Sequence, residues 1–90
     1  MRNRGRIYWG WADRNLHCRQ YEERLDDGTL IDVKVRHSKA GLVQMFWGVY
    51  RLDGLLLREM AFDDMPNETL SSALAGGVEQ ARHYCFTPHH

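Results

Sequence analysis

The stretch VQMFWGVYRLDGLLLREMAF, residues 43–62, decides the fold. At its centre an Asp-Gly pair separates two apolar runs. Asp-Gly is a strong hairpin signal, because glycine adopts positive φ without steric cost and aspartate tolerates it better than most residues. A two-residue loop at Asp53-Gly54 sets Leu52 against Leu55, Tyr50 against Leu57 and Phe46 against Ala61. On the opposite face it sets Val49 against Arg58, Trp47 against Met60 and Met45 against Phe62. Both faces are then substantially apolar, whereas a sheet with one wet side alternates apolar with polar residues. Each face of this hairpin therefore needs a cover.

Towards the amino end, RLDDG (24–28) echoes RLDG (51–54). Two hairpins that need the same turn chemistry explain the echo as well as a duplication does. The first hairpin is expected over 16–25 and 29–37, with Ile31, Val33 and Val35 on one face and Asp32, Lys34 and Arg36 on the other. Ahead of it RIYWGWA (6–12) alternates as a further strand, placing Ile7, Trp9 and Trp11 together. Glycine beside tryptophan occurs there and again in FWGVY (46–50). In a strand such a glycine lets an aromatic ring from a neighbouring strand lie across it, so these motifs point to close contact in the core and not to a ligand loop.

Towards the carboxyl end, DDMPNET (63–69) carries the proline, asparagine and acidic residues that suit a helix start. Leu70, Ala73, Leu74, Gly77, Val78, Ala81, Tyr84 and Cys85 then recur at helical spacing. The periodicity predicts an amphipathic helix over 67–86 that ends before Pro88. Gly76-Gly77 is its flaw, at about 1 kcal/mol per glycine relative to alanine. Either the helix approaches something bulky there, the sheet tryptophans being the natural object, or it breaks in two. The expected fold is α+β: an antiparallel sheet of four or five strands built from two β-hairpins, with one carboxyl-terminal amphipathic helix packed on one face. A single domain over 1–90 would comprise a flexible basic arm (1–5), the sheet (6–62), the helix (67–86) and a frayed tail (87–90). Expected core residues on the sheet are Trp9, Trp11, Val33, Val35, Trp47, Val49, Met60 and Phe62. The helix adds Leu70, Leu74, Val78 and Ala81.

Composition narrows the classes of function. Hydrophobic residues at 43% and charged residues at 27% describe a folded domain and not a disordered tail. Twelve Lys+Arg balance twelve Asp+Glu, so no global field draws the chain to nucleic acid or to an anionic membrane. The balance is uneven: residues 1–41 hold nine basic and six acidic side chains, net +3, and residues 42–90 hold three and six, net −3. Asp13, Arg14 and Asn15 interrupt any apolar run after the early arginines, which argues against a secretory signal. The longest apolar runs are four or five residues, too short to span a bilayer. The expected compartment is the cytoplasm, where Cys18 and Cys85 stay free thiols.

The sequence offers four kinds of candidate site. The terminal stretch RHYCFTPHH (82–90) crowds three histidines and a cysteine. On a helix His83 and Cys85 lie about 200° apart and cannot share an ion, Cys85 falls on the apolar stripe, and no CxxC or HxxxH spacing occurs. No metal and no cofactor is expected. Catalysis has no GxSxG, no P-loop and no nucleophile in a recognisable setting, so no catalytic residue is assigned. The stretch RNRGRIYW interleaves Arg2, Arg4 and Arg6 with Tyr8, residue types that suit phosphate contacts and base stacking. Finally, once the helix covers the Met45/Trp47 face, Phe46, Tyr50, Leu52, Leu55 and Leu57 need another cover, either internal or a partner surface. The expected function is a small non-enzymatic protein-interaction or regulatory module, in homodimeric form or bound to another protein. Nucleic-acid binding through the arm is the alternative.

Overall fold

A computed structural model describes residues 2–87 of the chain. In order its elements are α1 (Arg6–Trp11), β1 (Arg19–Arg24), β2 (Leu30–His37), β3 (Val43–Tyr50), β4 (Leu56–Phe62) and α2 (Leu70–Phe86). The four strands form one antiparallel sheet in the order β1-β2-β3-β4. The fold is α+β, with α2 across one face. The tail expected beyond Thr87 lies outside the described residues.

Three turns of one kind fold the sheet. Leu25 N donates to Thr29 O, Ser38 N to Leu42 O and Arg51 N to Leu55 O, each at 2.8 Å. Each turn closes on a glycine at positive φ: Gly28 at 90°, Gly41 at 84° and Gly54 at 92°. Loops of three residues that end in a left-handed glycine are the next most common hairpin connection after two-residue loops. The Asp53-Gly54 loop is therefore three residues, Leu52–Gly54, and not two, so Leu52 does not face Leu55. The consequence is a bulge. Met45, Phe46, Trp47 and Val49 keep the expected partners Phe62, Ala61, Met60 and Arg58, but Tyr50 pairs with Leu56 and leaves Leu57 as the extra residue.

Residues alternate across the sheet, and both faces are covered by the chain itself. On one side Ile31, Val33, Val35, Met45 and Val49 are fully buried beneath Ala73 and Ala81 of α2. Gly77 gives the closest approach there. A Cβ on it would lie 2.7 Å from Val33 Cγ1 and 3.0 Å from Met45 Sδ, whereas one on Gly76 would meet nothing within 4 Å. The close neighbours of the glycine are thus valine and methionine, not tryptophan, and α2 runs unbroken. Its start is set by a capping box: Ser72 N donates to Thr69 Oγ1 at 3.0 Å and Thr69 N donates to Ser72 Oγ at 2.9 Å.

On the other side the cover is α1, where a strand was expected. Tyr8 and Trp11, three residues apart, share one side of a helix and both meet Phe46, at ring-centroid distances of 5.2 and 5.8 Å. Trp9 turns outward and is 66% exposed, so it is not a core residue. The glycine of FWGVY does receive an aromatic ring, but from its own strand: a Cβ on Gly48 would strike the ring of Tyr50.

Candidate functional site

Charge holds the amino-terminal arm onto the sheet. Strand alternation puts Asp32 on the α1 face of β2, where its carboxylate is completely buried. Arg4 Nη1 reaches Asp32 Oδ2 at 2.6 Å and Arg2 Nη1 reaches the same oxygen at 3.0 Å. Arg2 also pairs with Glu22 at 3.0 Å, an interaction that holds the Glu22 carboxyl below its usual range. Gln20 Nε2 donates to Asp32 Oδ1 at 3.0 Å. The desolvation of a buried carboxylate and two guanidinium groups offsets most of their attraction, so such a cluster fixes where the arm lies more than it stabilises the fold.

Glu59 of β4 does the same for α1. Its carboxylate accepts from Gly5 N at 2.9 Å, from Tyr8 N at 3.1 Å and from the Tyr50 hydroxyl at 3.2 Å. Free amides at a helix start favour an acceptor and a negative charge, and here both come from a residue about fifty positions away. Tyr50 completes the network, because its hydroxyl also accepts from Arg4 Nη1 at 3.0 Å. Burial pushes the Tyr50 phenol well above its ordinary range.

These contacts revise the sequence-based sites. Phe46 and Tyr50 have no exposed surface, so neither is available to a partner, and their cover is internal. Arg2 and Arg4 are engaged by carboxylates, and Tyr8 lies with the Arg4 guanidinium 4.2 Å from its ring centroid. The arm from Arg2 to Gly5 is therefore a docked strap, not a flexible arm, and of the three arginines proposed to contact nucleic acid only Arg6 has no ion pair among the described residues. Asp32 and Glu59, the anchors of this face, were missed. The sequence signal for them is an acid in mid-strand, on the face that also holds large aromatics.

A second locus gathers at the end of the sheet bearing the β1–β2 and β3–β4 turns. Leu52, Leu55, Leu57 and Phe86 are four of the seven exposed large apolar side chains among the described residues. The turns touch, since a Cβ on Gly28 would lie 3.0 Å from Leu52. Leu57 and Phe86 flank an open cleft of about 670 Å³ whose walls include Leu25, Val49, Tyr84 and Cys85, with Asp26 and Asp27 at its lip. The bulge shapes this corner: the Leu57 carbonyl accepts a hydrogen bond from the Tyr84 hydroxyl at 3.4 Å. Phe86 was absent from the sequence-based site, because a last-turn aromatic off the apolar stripe carries no signal of what lies beside it.

Cys85 sits in this cleft as a free thiol. Burial, with Asp27 and Glu23 nearby, pushes its pKa up, which keeps it protonated and a poor nucleophile. Among the described residues no three His, Cys, Asp or Glu side chains are placed to hold a metal ion. Among the same residues no helix is long and apolar enough to cross a membrane. Comparison of the chain with family models, with curated proteins and with solved structures finds no match.

Proposed function

We propose that this chain is a non-enzymatic protein-interaction module that assembles as a homodimer through its turn-bearing end. The observation that carries this reading is that four exposed apolar side chains share the turn-bearing end: Leu57 and Phe86 flank the cleft, and Leu52 and Leu55 lie in and beside the adjoining β3–β4 turn. Apolar surface that clusters instead of scattering marks an interaction site. The mixed charge at the same end favours a second copy as occupant. Asp26 and Asp27 lie beside Arg24, and Arg51 pairs with Asp53 at 3.0 Å, so this end carries both signs of charge, as a surface that pairs with its own copy requires. The interface is thus kept at the second hairpin but moves from its faces to its turn.

Leu57→Lys tests this. The residue is 39% exposed and unpaired in the ladder, so the substitution leaves the fold intact. Native mass spectrometry should give a dimer for the natural chain and a monomer for Leu57→Lys, with matching circular dichroism. A monomeric natural chain at micromolar concentration, or a dimer indifferent to both Leu57→Lys and Phe86→Lys, refutes the reading.

A further inference from the structure

A separate cleft of about 670 Å³ opens between α1, the segment 12–18 and the sheet. Trp9, Trp11, Arg14, Asn15, His17 and Lys34 are among its walls. It lies on the opposite side of the sheet from α2, so it is independent of the dimer surface. Three features of it lack an internal purpose.

The first is Trp9. Its ring makes one edge contact, with Tyr8 at 5.1 Å and 81°, and otherwise stands 66% exposed. Exposing an indole forgoes the largest burial gain any side chain offers. The second is positive charge outside any ion pair, with Asp13 the one acid among the cleft walls. Among the described residues Arg14, Lys34 and Arg36 form no ion pair, because Arg2 and Arg4 occupy the carboxylates of Asp32 and Glu22. Lys34 Nζ lies 3.5 Å from the Tyr8 hydroxyl and 5.4 Å from the Tyr8 ring centroid, and it acts on Glu22 through space without pairing with it. The third is a pair of buried donors. Trp11 lines the cleft, and Arg36, which is not among the walls, stacks 3.7 Å from its ring; Arg36 Nε donates to Gln44 Oε1 at 2.8 Å, while Arg36 Nη1 and Trp11 Nε1 are buried without an acceptor among the described residues. Buried donors of this kind are rare and call for an explanation.

An exposed aromatic face, free cations and amide groups in one cleft match a planar heteroaromatic ring that carries an anion. We propose that this cleft binds a nucleobase together with its phosphate, as presented by single-stranded nucleic acid. Trp9 supplies the stacking face, Lys34 and Arg14 take the phosphate, and Asn15 offers the hydrogen-bonding edge. The cleft volume is within the range of small-molecule sites and accepts one nucleotide at a time. A duplex does not fit this chemistry, since stacking on Trp9 needs a base already out of its helix. The strap arginines are structural in this arrangement, since Arg2 and Arg4 are held by Asp32 and Glu22.

The test is fluorescence anisotropy with labelled single strands of roughly ten nucleotides, beside titration of a mononucleotide followed by tryptophan quenching. Trp9→Ala removes an outward ring and Lys34→Gln removes one charge; thermal melts confirm that both variants fold. Trp9→Ala is expected to weaken single-strand binding about ten-fold or more. Lys34→Gln is expected to weaken it several-fold and to flatten the slope against log salt by about 0.7. A strand that binds more tightly than the mononucleotide identifies nucleic acid as the source. Equal binding of both identifies a free nucleotide and keeps the shared chemistry. No binding of either at low salt, equal competition by a duplex, or indifference to both substitutions overturns the site.

Discussion

The paired glycines of α2 offer the sharpest test of how the helix meets the sheet, because adjacent residues of one type are expected to respond with opposite sign. In an isolated helix, alanine in place of either glycine is worth about 1 kcal/mol of propensity. At Gly76 nothing opposes that gain, since the new methyl meets no atom within 4 Å. At Gly77 the methyl would sit 2.7 Å from Val33 Cγ1, well inside contact distance. Val33 is β-branched, completely buried and on an inner strand, so its restricted χ1 leaves it little room to yield. Overpacking of this kind costs about 1–3 kcal/mol, and the middle of that range, about 2 kcal/mol, outweighs the propensity. Gly76→Ala should therefore stabilise by about 1 kcal/mol and Gly77→Ala should destabilise by about 1 kcal/mol. The gap of about 2 kcal/mol corresponds to on the order of 10 °C in Tm for a domain of this size. Urea titration followed by circular dichroism measures both, with the m-value as a check that only the native state has changed. If Gly77→Ala stabilises as much as Gly76→Ala, the close approach of α2 to Val33 is wrong.

Further expectations concern the strapped face. Tyr50→Glu should unfold the chain and not merely split a dimer, because the side chain is fully buried beside Glu59 and the change costs more than about 4 kcal/mol; a folded Tyr50→Glu monomer would refute internal cover. Glu22 has a depressed folded-state pKa, so its contribution is present above its ordinary value of 4.5 and is lost as pH falls through the lower folded value. Acid titration of Glu22→Gln should then show a shallower loss of stability than the natural chain, and identical acid curves would mean that Arg2 does not hold it. Tyr50 titrates in the opposite sense: its raised pKa leaves stability intact below 10.0 and erodes it as pH rises further, since the unfolded chain releases the proton first. Tyr50→Phe should flatten the alkaline limb of a stability–pH profile, and an unchanged slope would count against burial of that hydroxyl.

What the sequence determined by itself was whatever rests on local chemistry. Asp-Gly at 26–28 and 53–54 marks turns because the conformational preference belongs to those residues; period-two alternation in 31–36 marks a strand with defined faces, and the apolar run 45–50 ahead of its turn marks a strand covered on both. The apolar stripe of 70–85 marks α2 for the same reason, down to the demand that a glycine approach the sheet closely. The loop length at Leu52–Gly54 was less legible, since two- and three-residue loops use the same residues, and that one residue moved Leu57 into a bulge. RIYWGW could not be decided locally at all. Six residues satisfy both patterns: Ile7, Trp9 and Trp11 alternate as in a strand, and Tyr8 with Trp11 keeps helical spacing. The choice fell to Glu59 and Phe46, which supply the helix start with an acceptor and the rings with a surface. The arginines of the arm follow the same logic. Their types announced anionic partners, and only the folded sheet revealed that the anions for Arg2 and Arg4 are Asp32 and Glu22, because no local pattern encodes contacts across that distance in the chain.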